Sequence, residues 1–262
     1  MAVEQVEHGG REALRRLDHR VVADAGQGGE GGVGSGLDEQ LGRVEAARLI
    51  AQVASPMSRQ HVAEVFALYG SPSGARRTHH VALMLRPGLT DSAHTSGQNL
   101  GADSLIEFLP ARGTSEAGYG EQRGQLPVIV HEYAHYVLGT VPRERGIQLR
   151  KAVLAAGRAD GAQLWGLLDE GLATALGNGR VTRSLVTADA FDRFLATPQS
   201  LYRRDDINAT GRALIGLLDS YVAQHKDIFH ADFPRDYVHT LTEKITDTLR
   251  TPQAMMMAYA II

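Results

Sequence analysis

The sequence contains no cysteine, which excludes a disulfide framework, a thiolate metal site and a cysteine nucleophile. It also lacks an excess of one charge, because 27 basic and 30 acidic side chains leave a formal net charge of -3. That balance argues against a protein that holds nucleic acid by its charge. No run approaches the roughly 20 apolar residues of a membrane-spanning helix, and residues 1–10 lack the basic start and apolar run of a signal peptide. We therefore expect a cytoplasmic protein without a stable membrane span.

The chain does contain enough apolar sequence for a sizeable core, with 43% hydrophobic and 22% charged residues over 262 positions. The first 37 residues differ from the rest, because residues 26–36 are largely glycine. Gly26, Gly28 and Gly31 match the spacing of a dinucleotide-binding loop, but such a loop opens a helix, and more glycines follow here. We interpret the tract as a flexible linker. This predicts a glycine-rich tail over residues 1–37 and one folded domain over residues 38–262.

Hydrophobic periodicity predicts an α+β layout, in which a small sheet precedes a mainly helical half. Two runs at helical spacing, 41–50 and 58–68, predict early helices, the second with Ser58 as its cap and Gly70 as its stop. Two short apolar runs, 80–85 and 104–109, predict strands separated by a polar loop at 90–101. Further helices are predicted at 125–138, 148–156, 163–176, 205–225 and 233–249.

The segment His131-Glu132-Tyr133-Ala134-His135 lies within the helix predicted at 125–138. Histidines four residues apart share one face of a helix, where both imidazoles can hold one ion, and neutral imidazole nitrogen is a common zinc ligand. Glu132 points about a quarter-turn away, so it would flank the metal and take a proton from a water that the metal activates. The pattern therefore predicts a hydrolytic zinc site with two histidine ligands and Glu132 as the general base.

The competing interpretation of this motif is a pair of hydrogen-bonded histidines in an ordinary helix. Composition alone gives such a motif in roughly a few per cent of comparable chains. Residues 126–130 and 136–138 on either side are apolar, and polar groups among them face a desolvation penalty unless something satisfies them. This context favours a metal site.

A third ligand is predicted in the segment 165–177. Asp169 and Glu170 are the only charged residues between Gly161 and Gly179. A carboxylate in so apolar a helix needs a partner, and a metal ion supplies one. Glu170 is the candidate ligand, and its small or apolar neighbours permit close approach to the motif helix. Asp169 is the competing ligand or, alternatively, an acceptor for a histidine N–H.

Two other metal classes fit the sequence less well. A di-iron carboxylate bundle also uses Glu-x-x-His spacing, as at Glu132 and His135, but it needs a second copy that we do not find. Metzincin peptidases continue the motif with a glycine and a third histidine, and Leu138 and Val141 stand at those positions. Both classes therefore rank below a site with two histidines and a glutamate.

The motif at 131–135, followed by Asp169-Glu170-Gly171-Leu172-Ala173, resembles the gluzincin zinc metallopeptidases, the group that includes thermolysin and the aminopeptidase-type enzymes. With a weaker likeness from Asn208 onward, the resemblance covers residues 105–225. It implies a zincin-like catalytic domain in which His131, His135 and Glu170 bind Zn2+ and Glu132 is the general base. It also implies that the strand at 105–109 is a sheet edge on which an extended peptide pairs.

The chain departs from the aminopeptidase-type pattern in two places. Residues 117–123 lack the segment with which those enzymes read the amino terminus of a substrate, so aminopeptidase specificity is not implied. Asn208 stands where they carry a tyrosine that stabilises the oxyanion, and its amide can donate to an oxyanion as a catalytic group. The other candidates for this donor are Tyr202, Tyr119, His230 and His239.

The leading hypothesis is a zinc-dependent metallopeptidase that hydrolyses bonds in a peptide or protein substrate. The missing tyrosine motivates an alternative, a zincin-fold protein that binds a metal or a partner without turnover. A third hypothesis is a helical interaction domain with an accidental motif, which would hold no metal. Bound metal separates the third hypothesis from the first two, and peptide cleavage separates the first from the second.

Overall fold

The computed structural model describes residues 55–71 and 126–244 with their side chains, and residues 19–22, 79–83, 94–100, 103–109 and 245–249 as backbone. The predicted helix at 41–50, the glycine-rich tract at 26–36 and Tyr119 lie outside the described residues. Among the described helices, none combines the length and apolar character needed to cross a membrane.

Helices dominate the part of the chain described with side chains. Their bounds are α1 Pro56–Leu68, α2 Leu126–Gly139, α3 Arg143–Gly157, α4 Gly161–Gly166, α5 Leu168–Ala173, α6 Thr182–Leu185, α7 Ala188–Ala196, α8 Asp205–Ala223 and α9 Phe233–Leu249. A 3-10 turn, Arg158–Asp160, joins α3 to α4, and a π-helical stretch, Thr174–Val181, joins α5 to α6. We call the stretch Thr174–Val181 the π segment.

The predicted α+β fold is wrong, because the described body is mainly helical. Residues 55–71 and 126–249 are 81% helical and contain no strand. The helices of the C-terminal half cover one another's apolar faces and form a core among themselves, so this body needs no sheet to bury them. The apolar runs behind the sheet prediction lie before residue 126, outside the body that is described with its side chains.

The backbone traced before residue 126 forms four short strands, β1 His19–Val22, β2 His79–Leu83, β3 His94–Leu100 and β4 Asp103–Leu109. They are ordered β1-β2-β4-β3, and β3 is antiparallel to β4 while the other pairs are parallel. Ile106 of β4 pairs with both Val81 and Gly97, so the prediction that 105–109 is a sheet edge is wrong. Strand β3 lies in the predicted polar loop, whose sequence has no apolar alternation to indicate a strand.

Helix α2 carries the histidine motif and lies in the core, because it is apolar on nearly every face. Val130, Ala134 and Val137 are at most 1% exposed. The helix packs against α1, α5 and the π segment, and α8 covers the other side of the π segment before packing on α9. The helix that carries the motif histidines is therefore fixed by packed apolar side chains.

The cap of α1 differs from the predicted one. The side chain of Ser55 accepts a hydrogen bond from the backbone N–H of Ser58 at 3.1 Å, while Ser58 itself is buried within the first turn. Ser55 precedes Pro56, and proline is favoured at the first position of a helix. Gly70 follows the end of the helix with φ +52°, a left-handed conformation that favours glycine, so the predicted stop is confirmed.

The helix predicted at 163–176 is divided in the structure into α4, α5 and the π segment. Gly177 and Gly179, expected beyond the end of that helix, lie inside the π segment. A Cβ atom on Gly177 would stand 2.4 Å from the carbonyl oxygen of Pro127 and 2.5 Å from the backbone nitrogen of His131. The missing side chain therefore lets the π segment touch the backbone of α2 beside the first motif histidine.

A group of charged side chains joins the π segment and α6 to α1 and α8. Arg180 contacts Asp219 through Nε at 2.9 Å and Glu64 through Nη1 at 3.0 Å. Arg183 donates to both carboxylate oxygens of Asp219, at 2.7 and 2.8 Å, a two-point contact that is among the stronger hydrogen-bonded ion pairs. We call Glu64, Arg180, Arg183 and Asp219 the arginine cluster.

Candidate metal centre

The two motif histidines turn their ring nitrogens toward each other on one face of α2. His131 is buried, at 5% exposure, and His135 is partly buried. Their Nε2 atoms are 3.2 Å apart, and the rings meet edge to face with centroids separated by 4.8 Å. Nitrogens this close can both face one ion, as the four-residue spacing predicts.

Glu170 enters the same space from α5. Its Oε2 atom lies 3.7 Å from His131 Nε2, and its Oε1 atom lies 3.4 Å from His135 Nε2. One ligand atom from each of the three residues lies within 4.8 Å of the others. The structure thus brings together the three ligands predicted from the sequence, although they come from separate helices.

The donor set, two imidazole nitrogens and a carboxylate, could hold a metal ion. The Nε2 atoms of His131 and His135 are 3.2 Å apart, and each faces one oxygen of the Glu170 carboxylate, Oε2 at 3.7 Å and Oε1 at 3.4 Å respectively. In addition, Glu170 Oε2 is buried and makes no hydrogen bond. Unpaired buried polar atoms are uncommon in native proteins, and a cation between the three side chains would satisfy this one.

Asp169 supports the centre from outside. Its Oδ1 atom accepts a hydrogen bond from Nδ1 of His135 at 2.8 Å, and its side chain is 56% exposed. Such a bond fixes the tautomer of the ring and turns Nε2 toward the Glu170 carboxylate. Of the two roles considered for Asp169, the geometry favours the acceptor for the histidine N–H over the ligand.

The two histidines differ in charge at neutral pH. Burial and the neighbouring His135 lower the pKa of His131 to about 4, and Glu170, Asp169 and the Ala173 backbone oppose this only in part. Nδ1 of His131 is buried without a hydrogen bond of regular geometry. Burial would also lower the pKa of His135, but the bonds to Asp169 and Glu170 outweigh it and raise that pKa to about 10. His131 is therefore neutral and offers a nitrogen lone pair, whereas protonated His135 pairs with the carboxylates and would release its Nε2 proton on binding a metal.

Tyr202 covers the centre from the irregular segment between α7 and α8. Its ring stacks on that of His131, with centroids 5.9 Å apart and planes 17° from parallel. Burial, the Glu170 carboxylate and the charge of Glu132 raise the pKa of its hydroxyl to about 12. From the sequence, Tyr202 is only one of several candidates for the oxyanion donor. It lies in an irregular segment, which has no periodicity from which the position of its side chain could be predicted.

Glu132, the predicted general base, is partly buried on α2. Its charge contributes to the raised pKa of Tyr202. Glu132 follows the ligand candidate His131 in the chain, and its role as general base stays a prediction.

Asn208, the predicted oxyanion donor, is buried in the first turn of α8. Its Oδ1 atom accepts a hydrogen bond from the backbone N–H of Leu201 at 2.9 Å. This bond fixes the backbone of the residue before Tyr202, so the Asn208 amide oxygen is engaged in a structural hydrogen bond. The oxyanion role of Asn208 stays a prediction, and the described contacts favour Tyr202 for it.

The remaining histidine candidates are engaged elsewhere. His230 pairs with Asp232 at 3.3 Å after the end of α8, and His239 pairs with Glu243 at 3.6 Å on α9. Within residues 55–71 and 126–244, the trio on α2 and α5 is the one group of histidine and acidic side chains that could hold a metal. The second ligand set required by a di-iron site is thus missing from this part of the chain.

Comparison with known proteins adds no relative. No protein-family model matches the chain, and neither a curated protein nor a solved structure matches it significantly. The resemblance to gluzincins therefore depends on the two short motifs and on the geometry of the side chains that they supply.

Proposed function

We propose that this protein is a zinc-dependent metallopeptidase of the gluzincin type. The observation that supports this most is the convergence of His131, His135 and Glu170, whose ligand atoms lie within 4.8 Å of one another. Two imidazoles and one carboxylate form the ligand set of many catalytic zinc sites, which keep a further position open for water or substrate. The hydrogen bond from His135 to Asp169 supplies the outer contact that such histidines usually make.

The chain's own residues divide the proposed chemistry among them. When bound, zinc would supply a Lewis acid that polarises the scissile carbonyl and increases the acidity of a water. Glu132 would accept the proton of the attacking water and later pass it to the leaving amine. Its place one residue after His131 keeps its carboxylate beside the ligands without making it one of them.

Tyr202 would donate to the oxygen that becomes negative in the transition state. With a pKa of about 12, the hydroxyl keeps its proton at neutral pH, and a protonated donor aimed at the developing charge is what this role needs. The charge would develop near its ring because the ring stacks on the ligand His131. The substrate class, a peptide or protein, and the cytoplasmic location are part of the same proposal.

The proposal is tested by measuring metal content and peptide cleavage together. Purified protein is expected to hold about one zinc and to cleave a mixed peptide library. Glu132→Gln should retain the metal and lose at least about 100-fold in kcat, within the range that general acid–base catalysis contributes. Glu144→Gln, the same change at an exposed position in the first turn of α3, should leave both quantities unchanged.

Three outcomes would contradict the proposal in different ways. Protein that stays metal-free after exposure to zinc would favour an accidental motif. A Glu132→Gln variant with full activity would remove the general base. Zinc-loaded protein that cleaves no peptide of a broad library would instead favour a metal-binding protein without turnover.

A further inference from the structure

Leu201 is held by side chains from two different helical elements. Asn208 of α8 accepts a hydrogen bond from its backbone N–H through Oδ1 at 2.9 Å. Asn178 of the π segment donates through Nδ2 to its backbone C=O at 2.7 Å. Because a backbone N–H can only donate and a C=O can only accept, these partners also determine which way each amide points. We call Asn178 and Asn208 the Leu201 clamp.

Leu201 lies in a stretch that has little other regular support. Helix α7 ends at Ala196 and α8 begins at Asp205, so the residues between them have no helical hydrogen-bond ladder. A segment of this kind is expected to be less rigid than the helices that it connects. The clamp satisfies both backbone polar groups of one buried residue in its middle, where Leu201 is 3% exposed.

Tyr202 follows Leu201 directly and stacks on His131 at 5.9 Å between ring centroids. We propose that Asn178 and Asn208 are positioning residues that fix the Tyr202 hydroxyl over the metal centre by holding the Leu201 backbone from both sides. This inference rests on the proposed function insofar as Tyr202 acts on substrate, but the positioning itself is a property of the protein alone.

The way in which Asn178 is embedded supports a positioning role over a purely stabilising one. Its Oδ1 atom is buried without a hydrogen-bond partner, as is Oγ of the neighbouring Ser200. Unpaired buried polar atoms destabilise a fold, so stability alone does not explain why an asparagine occupies position 178. The residue before it, Gly177, touches the α2 backbone at His131, which ties the clamp and the ligand helix to the same short stretch.

The test uses the same isosteric change at both ends of the clamp. Asn208→Asp keeps an oxygen that accepts from the Leu201 N–H. Asn178→Asp replaces the donor with an oxygen that faces the Leu201 carbonyl and repels it. Because Asn208 accepts a hydrogen bond and Asn178 donates one, the same Asn→Asp substitution should disturb Leu201 more at position 178 than at position 208.

In kinetics, Tyr202→Phe is expected to lower kcat about 100-fold, the range seen when one oxyanion donor is removed. Asn178→Asp should lower kcat by at least about 10-fold at nearly constant KM and unchanged zinc content, and Asn208→Asp should have a clearly smaller effect. In a Tyr202→Phe background, Asn178→Asp should add little, because the two changes act on one interaction.

A readout without catalysis keeps the positioning separable from the proposed function. In protein labelled with 3-fluorotyrosine, the 19F signal of Tyr202 is identified by its loss in Tyr202→Phe. Asn178→Asp is expected to shift or broaden that signal, whereas Asn208→Asp should change it less. If Asn178→Asp does not fold, Asn178→Ala, which removes the donor without adding a repulsive oxygen, is measured in the same way.

An unmoved Tyr202 signal in a folded Asn178 variant would overturn the proposal, whatever its activity. An effect of Asn208→Asp equal to that of Asn178→Asp would overturn it as well, since the direction of the hydrogen bonds would then not matter. A signal that moves as expected in a protein that cleaves no peptide would support the clamp while contradicting the peptidase proposal.

Discussion

Two groups of polar and charged side chains lie in or beside the π segment, and they differ in how completely their members are paired with one another. In the arginine cluster each charge meets an opposite one at 2.7 to 3.0 Å. In the metal centre two histidine nitrogens face each other at 3.2 Å, and Glu170 Oε2 is buried without a hydrogen bond. The first group is complete as it stands, whereas the second leaves room and need for a cation.

This difference separates a structural role from a functional one. A group in which all charges are paired joins elements, and the arginine cluster joins α1 and α8 to the end of the π segment and α6. A group that leaves buried polar atoms unpaired destabilises the fold unless a ligand compensates. Unsatisfied groups are thus better indicators of a binding site than the number of charges at a location.

The largest effect, a loss of zinc affinity, is expected when one negative charge is removed from the metal centre and not when one is removed from the arginine cluster. Glu170→Gln should weaken zinc binding by more than about 100-fold, since even changes to the outer contacts of a ligand lower metal affinity about 10–100-fold. Asp219→Asn, the matched change in the arginine cluster, should leave the affinity unchanged. Competition with a zinc indicator measures both.

Thermal unfolding extends this comparison. Zinc at 100 times the Kd of the native protein should stabilise both the native protein and Asp219→Asn by about 2.7 kcal/mol, and should stabilise Glu170→Gln by less than about 0.5 kcal/mol. Equal zinc affinities in the two variants would erase the proposed difference between the groups.

A smaller but still large effect is expected at the close contact between the π segment and α2. Gly177→Ala would place a Cβ atom 2.4 Å from Pro127 O and 2.7 Å from His131 Cβ, and such overpacking typically destabilises by about 1–3 kcal/mol. Gly216→Ala, on the exposed side of α8 with no atom within 4 Å of the new methyl group, should stabilise by about 0.5–1 kcal/mol. Urea denaturation measures both, and a Gly177→Ala variant as stable as Gly216→Ala would show that the metal centre does not depend on this contact.

The smallest effect concerns acid stability. Burial would raise the pKa of Asp219, but Arg183 and Arg180 outweigh it and hold that pKa below its ordinary value of 3.8. A lowered folded-state pKa means that the stabilisation is present above pH 3.8 and is lost as the pH falls through the folded-state value. At neutral pH, Asp219→Asn should cost only about 1 kcal/mol, because the Asp219 and Arg183 side chains are more than a third exposed and are screened by solvent.

Chemical denaturation at neutral pH and near pH 3 tests this last prediction. The difference in unfolding free energy between the native protein and Asp219→Asn should shrink at the lower pH. A difference that stays constant, or grows, would show that the cluster does not stabilise the fold through the charge of Asp219.

The three candidate metal ligands could be predicted from the sequence because local rules cover them. His131 and His135 meet by helical periodicity, and Glu170 is marked, with Asp169, as the only charge in an apolar stretch. The choice between Glu170 and Asp169 needed the structure, since both lie in the same turn. Only the positions of the helices show that Asp169 faces Nδ1 of His135, outside the ligand set.

Tyr202, Asn178 and the fold class needed information that the sequence does not carry locally. Tyr202 stacks on His131 from an irregular segment, and Asn178 is connected to it only through Leu201, which lies 23 residues from Asn178 in the chain. The α+β prediction treated the apolar runs before residue 126 and those after it as parts of one fold. The described core is formed by α1 together with the helices that follow residue 126. The ends of α8 and α9 were predicted within two residues, because their apolar faces repeat without interruption.

The geometry of the candidate metal centre depends on the number of residues in the π segment. Its hydrogen bonds span five residues where an α-helix spans four, and within eight residues it presents Gly177 to α2 and Asn178 to Leu201. An α-helix turns roughly 100° per residue, so the loss of one residue here would rotate everything after it relative to Glu170. During evolution this stretch would accept exchanges of side chain more readily than insertions or deletions, and a shortened descendant could keep every ligand and still lose the alignment of Tyr202.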